Sequence, residues 1–158
     1  MSLLAFFQWC EQSAIGEAIR RSAWLFPVIE AIHLLGLGFI GGAVLVVDLR
    51  LLGLGLRRQS VAQLARDAQP WLIGSLIVMI TTGTLLFTSE AIKCYYHAAF
   101  WVKMTSLFLA IVFTFTVQRK VTIADETRVR PLWNKVVALV SVMLWSGVGI
   151  GGRWIGFS

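Results

Sequence analysis

Two ionisable residues, Glu30 and His33, stand three positions apart inside the apolar run Ser22 to Val47, SAWLFPVIEAIHLLGLGFIGGAVLVV. The run is long enough to cross a bilayer. Ionisable groups at that depth are costly unless paired, protonated or liganded, so they mark a functional site. Spacing i, i+3 places both on one face of a helix. A neutral imidazole is a ligand for a metal or for haem iron, and the nearby carboxyl can handle protons or support the ligand. Lys103, in the opening turns of a later apolar run, and Arg153, at the end of the last one, are the cations placed to meet them.

The elements that must position these groups follow from the apolar pattern. Residues 2–21 are too polar to span: Leu3, Phe6, Phe7, Cys10, Ala14 and Ala18 share one helix side, with Gln8, Glu11, Gln12 and Glu17 largely on the other. This predicts an amphipathic helix lying in the membrane interface; a helical extension of the first span is the other reading. Spans are expected over about 22–47, 70–89, 100–117 and 136–154. Pro27 falls in early turns, where the missing N–H is tolerated, and Pro70 is expected to start the second span. Ser60 with Gln63 resembles a capping box, predicting a short surface helix in the first connection. Gly38 and Gly42, and later Gly147 and Gly151, form small-xxx-small pairs, whose ordinary use is close packing inside the bundle. The fold class expected is all-α: an integral membrane four-helix bundle in one domain, with an N-terminal interfacial amphipathic helix.

Composition agrees. Mean hydropathy is +0.78, and only 14% of residues are charged, unlike a soluble globular chain. The net charge of +6 does not imply nucleic acid, because the basic residues sit in connections between apolar runs, as orientation determinants do. Arg50, Arg57, Arg58, Arg66, Arg119, Lys120, Arg128, Arg130 and Lys135 lie on the two-connection side, against Arg20, Arg21, Lys93 and Arg153 on the other. By the positive-inside rule both termini are periplasmic in a multi-pass protein of the inner membrane, although Arg20 and Arg21 oppose this. Trp24, Trp101 and Trp154 mark one interface, Trp71 and Trp133 the other. The start has no basic n-region and does not read as a cleaved signal peptide.

With that topology, Glu30 and His33 lie roughly 10–17 Å below the outer start of their helix, and Lys103 about 5 Å below that of the third span. Glu90 and Arg153 close their spans on the same side. Each span thus brings an ionisable residue to the outer half, and no comparable set is expected in the inner half. Two accounts of the set stand side by side. One is a ligand site centred on His33; the other is internal neutralisation, with Glu30 pairing Lys103 or Arg153, Glu90 pairing Lys93, and snorkelling cations. His97 beside Tyr95 and Tyr96 reads as part of an interfacial aromatic cluster. Cys10 and Cys94 fall on one side of the membrane, where a periplasmic disulfide is allowed; two unpaired thiols are the alternative. No catalytic residues are assigned, and no hydrolase triad, phosphate loop or HExxH is present.

The stretches EAIHLLGLGFIGGAVLVVDLRLLGLG, AFWVKMTSLFLA and LWSGVGIGGRWIGF resemble a family of small, uncharacterised bacterial four-helix inner-membrane proteins, over nearly the whole chain. The first-span histidine and the F-x-x-K opening, Phe100 to Lys103, are more distantly similar to copper-resistance D type membrane domains and to J-type membrane protoporphyrinogen oxidases. The latter resemblance implies haem b, with His33 and Lys103 at its site. Those proteins tend to carry another histidine late in the third span, whereas VFTFTVQRK here has none. The sixth position would then fall to Met79 or Met104, to a second chain, or to nothing.

Three functions follow as expectations. The first is a b-type haem redox module in the outer half of the membrane, with His33 the axial and metal ligand. Lys103 and Arg153 would meet the propionates, Glu30 would lie beside them, and a periplasmic or membrane redox partner or quinone would exchange electrons. The second is a non-catalytic membrane anchor or homo-oligomeric scaffold. The third is copper or other ion transport, for which the chain holds only four methionines, although soft ligands suit cuprous ions.

Overall fold

The computed structural model describes residues 2–55, 58–123 and 131–155. Arg57, Arg128, Arg130 and the end of the GVGIGGRWIGFS stretch lie outside the described residues. The elements are α1 (Leu3–Glu11), α2 (Ala14–Arg21), α3 (Leu25–Leu52), α4 (Val61–Ser89), α5 (Ala91–Tyr96), α6 (Ala98–Phe113), a π turn (Thr114–Gln118), α7 (Arg119–Ile123) and α8 (Pro131–Ile155). No strand occurs among the described residues. Four helices are long and apolar enough to cross a membrane: α3, α4, α8, and the continuous rod of α6, π turn and α7. The chain is a multi-pass, all-α membrane protein.

Local sequence sets the helix ends. Gly53 takes a left-handed φ of 79° after α3, its N–H bonding Arg50 O while Leu54 N bonds Leu49 O. A glycine suits that position because a Cβ is disfavoured there. Ser60 Oγ accepts from Gln63 N at 3.1 Å to start α4. The surface helix expected from Ser60 and the second span are therefore one rod, and Pro70 lies inside it. The N-terminal segment is two helices rather than one. Ser13 Oγ accepts from Gly16 N at 3.2 Å, starting a second helix where the first has ended.

The long helices form an arc. α3 packs on α4 and on α8, and α8 packs on α6. α4 and α6 barely approach each other; α5 joins them at one end and α7 touches α4 at the other. The central core holds Ile40, Val44, Leu72, Ala110, Trp145 and Val148. A second cluster at the α7 end holds Val47, Leu51, Val137 and Ala138. Large apolar side chains such as Leu35, Phe39, Ile77, Phe108 and Met143 are exposed, as lipid-facing residues are.

Glycines decide the close approaches, though not all the expected ones. Gly147 and Gly151 lie against α6: an added Cβ would meet Ser106 Oγ at 2.8 Å and Lys103 Cβ at 3.1 Å respectively. Gly38 and Gly42 have nothing within 4 Å of such a Cβ, so this pair does not serve packing inside the bundle. That expectation is corrected: the face carrying Gly38 and Gly42 is turned outward, beside exposed Phe39.

α1 and α2 cover one end of the bundle. Phe7 and Cys10 join Ala91 and Cys94 in an apolar cluster flanked by Phe87, Tyr95 and Phe100. Arg20 donates to Ser89 O at 2.9 Å and to Glu11 O at 2.7 Å, so one guanidinium serves the last carbonyls of two helices. Glu11 Oε2 in turn accepts from Ile92 N at 2.6 Å, at the start of α5. Gly16 lies so close to the Thr88 carbonyl that a side chain there would clash with backbone.

Candidate functional site

His33 is buried on α3, facing α4. Its Nδ1 lies 2.8 Å from Thr82 Oγ1, and Thr82 gives its own hydroxyl proton to Val78 O at 2.6 Å. The hydroxyl therefore accepts, and His33 carries its proton on Nδ1. The Nε2 lone pair is left to face Lys103, whose ammonium donates across 3.4 Å. Gly83 makes the arrangement possible, because a Cβ there would meet His33 Cε1 at 3.2 Å. Three helices thus fix one imidazole: α3 carries it, α4 orients it and α6 brings a cation to its free nitrogen.

A cavity of about 310 Å³ opens around this group. It takes in Glu30, His33, Met79, Cys94, Lys103 and Arg153, with Glu90 and Lys93 at the α5 side. The residues singled out in the sequence are therefore brought together, with one exception among the iron-ligand candidates. Met79 is buried and lines the cavity, while Met104 is exposed on α6 and does not. The expected Glu90–Lys93 pair is present at 3.8 Å. Glu30 and Lys103 belong to no ion pair among the described residues. Within that set no three of His, Cys, Asp and Glu converge to hold a bare metal ion.

Cys10 and Cys94 share one apolar cluster, both as free thiols. Burial, and next the Glu90 carboxylate, pushes the Cys94 thiol up from 9.0 to about 11. It is a neutral thiol at ordinary pH rather than a thiolate ligand. Tyr95 packs edge-on against Phe7 and Tyr96, and Trp101 Nε1 donates to Tyr95 O at 3.1 Å. His97 sits at the junction of α5 and α6, beside this aromatic cluster.

At the opposite end the structure holds a polar cluster that sequence reasoning missed. Asp48 and Ser141 are 0% exposed and Gln118 is 4% exposed. Gln118 Nε2 donates to Asp48 Oδ1 at 2.8 Å, and Ser141 lies beside the Asp48 carboxyl. Asp48 Oδ2, Gln118 Oε1 and Ser141 Oγ are left without a hydrogen-bond partner among the described residues. The expectation for this half concerns ionisable residues, and the cluster holds one of them, Asp48, with two neutral partners. A span ending at Val47 puts Asp48 in the connection, but the apolar positions Leu49, Leu51 and Leu52 continue the helix past it to Gly53. That glycine is the signal for a later helix end.

The π turn helps build this cluster. One extra residue per turn rotates the phase of the residues beyond it, and the turn ends on buried Gln118. Its first residue, Thr114, accepts from Trp145 Nε1 at 3.2 Å, fixing the turn to α8.

An imidazole nitrogen held in one tautomer, with cations beside it and a cavity in front, suits a ligand that takes a lone pair and bears acidic groups. No curated protein and no solved structure matches the chain. Residues 6–158 match a family of unknown function, DUF6644. Since that match takes in all but the first few residues, the chain belongs to the family of unknown function DUF6644.

Proposed function

We propose that this chain is a b-type haem-binding redox module of the inner membrane. His33 would hold the haem iron through Nε2, and the site would lie in the half of the bilayer nearer the termini. The carrying observation is the orientation of His33: Thr82 fixes the proton on Nδ1 and presents Nε2 to the cavity. Buried ligating histidines are characteristically held through the other ring nitrogen in this way. The resemblance of the first-span histidine and the F-x-x-K opening to the J-type oxidases and the copper-resistance D type supports the same assignment.

The residues present fit the group. The long contact from Lys103 to Nε2, 3.4 Å, is weak enough to exchange, and the lysine stem can carry the ammonium to a propionate instead. Arg153, exposed at the cavity rim, supplies a second cation. Met79 lies on the same cavity wall. A volume of about 310 Å³ is at the low end of cofactor sites, and the incomplete contact between α4 and α6 leaves a lateral side free. Bound haem would supply one-electron transfer. The chain's own parts orient the imidazole, neutralise acidic substituents and exclude water with the aromatic cluster of α1 and α5. Glu30, half-buried on the His33 face, is placed to exchange a proton with the redox change.

The basic connections orient the termini to the periplasm. The site then serves a periplasmic partner or a membrane quinone.

The test is an absorption spectrum of the detergent-purified protein, air-oxidised and dithionite-reduced, after haem-replete expression. A Soret band with reduced α and β bands, lost in His33→Ala, is expected. A protein without a Soret band would reduce Thr82, His33 and Lys103 to a buried polar network.

A further inference from the structure

Arg66 on α4 and Arg119 at the start of α7 stand on facing walls of a second cavity, of about 390 Å³. It lies at the α7 end of the bundle, away from His33. Its lining is largely apolar, with Ala43, Ala65, Ala68 and Phe115, and takes in four uncharged polar side chains, Gln69, Thr114, Gln118 and Thr122. No acidic side chain lines it among the described residues. Both arginines are exposed, and neither forms an ion pair within that set.

Two features say what such a space receives. The cavity lies between α4 and the α6–α7 rod, along the side of the arc where α4 and α6 fail to close. A ligand reaching it from the side comes from among the acyl chains. The alanines keep the gap wide enough for a chain, since larger side chains would fill it. The guanidiniums stand at the end of the apolar lining, where α4 and α7 meet polar sequence. Arginine forks match phosphate oxygens through paired N–H donors. An uncharged amphiphile leaves both guanidiniums unanswered, and a second copy of this chain would bring further arginines to the same place.

We propose that this cavity binds one acidic phospholipid, an acyl chain lying between α4 and α6 and the phosphate held by Arg66 and Arg119. The site is independent of the haem reading, since it shares no residue with the His33 cavity.

Native mass spectrometry of the full chain, delipidated in neutral detergent, tests this with phosphatidylglycerol and phosphatidylcholine of matched chains. Phosphatidylglycerol should bind more tightly by roughly tenfold or more. The preference should disappear in R66Q/R119Q, survive in the charge-keeping R66K/R119K, and survive in Arg21→Gln at the other end. Ala65→Leu should weaken both lipids by filling the chain path. Equal binding of the two lipids overturns the proposal, as does a preference that survives in R66Q/R119Q. Full displacement of the lipid by millimolar inorganic phosphate also overturns it, by showing a headgroup site without a chain.

Discussion

Gln118 donates its amide to Asp48 across 2.8 Å, tying the π turn to α3 through two side chains with almost no exposed surface. The second carboxyl oxygen of Asp48 and the hydroxyl of Ser141 have no partner among the described residues. Asp48→Asn keeps an acceptor for Gln118 and offers Ser141 a donor, so this variant should be at least as stable as the parent. Asp48→Ala strands the Gln118 amide and should cost about 1–3 kcal/mol. Thermal unfolding in detergent separates the two. Equal losses would show that Asp48 is needed as a charge rather than as a hydrogen-bond partner.

Thr82→Val preserves shape and removes the acceptor for His33 Nδ1. The expected loss is about 1 kcal/mol of stability. On the haem reading, affinity falls roughly 10- to 100-fold. Thr84→Val is the control, because among the described residues Thr84 bonds the carbonyl of Ile80 on its own helix. Haem titration and unfolding on both variants check the pair; identical behaviour would remove Thr82 from the site.

Arg20→Ala should loosen the end of the bundle that α1 and α2 cover. Two carbonyls, Ser89 O and Glu11 O, lose their donor together, at a cost of roughly 1–3 kcal/mol. Hydrogen exchange should quicken in α1, α2 and the last turn of α4. Arg21→Ala, which breaks an exposed pair with Glu17, should change stability by less than about 1 kcal/mol.

Cys94 should react slowly. With its thiol raised to about 11, alkylation in a Cys10→Ser background should climb about tenfold per pH unit toward that value. Below pH 9 the thiol is protonated in both folded and unfolded chain, and its contribution to stability is whole. Above that, the unfolded chain releases the proton first, so stability falls until the folded thiol also ionises near 11. Cys94→Ala should flatten that alkaline decline. An alkylation midpoint near 9 would mean that the cluster around Phe7 opens.

Spans and their approximate order were legible because apolar runs of that length have few other uses. So was the His33 neighbourhood: ionisable residues inside such runs stand out, and spacing put Glu30 and His33 on one face. Thr82 as the orienting partner was legible only as one of several second-span hydroxyls that can bond their own helix or a neighbour; Thr82 does both, whereas Thr84 bonds its own backbone. The inner cluster escaped for a different reason. Asp48 stands at the border of an apolar run, where a charge reads as the start of a connection. Gln118 stands directly before Arg119 and Lys120, so it reads as the first residue of the basic connection, while the structure continues the helix through it. The exposed Gly38 and Gly42 show the converse: a small-residue pair names a face that can be approached, not one that is.

The open arc also bears on how the chain is assembled. α3 and α4 are neighbours in sequence and in space, and so are the α6–α7 rod and α8. Each pair is a helical hairpin whose contacts are local. The broadest distant junction, α3 against α8, unites them, with smaller ones where α7 touches α4 and where Gln118 and Lys103 reach α3. During synthesis the first hairpin can therefore enter the bilayer and fold before the second exists. The last helix then docks on α6 and on the free flank of α3, and the order of synthesis becomes the order of construction.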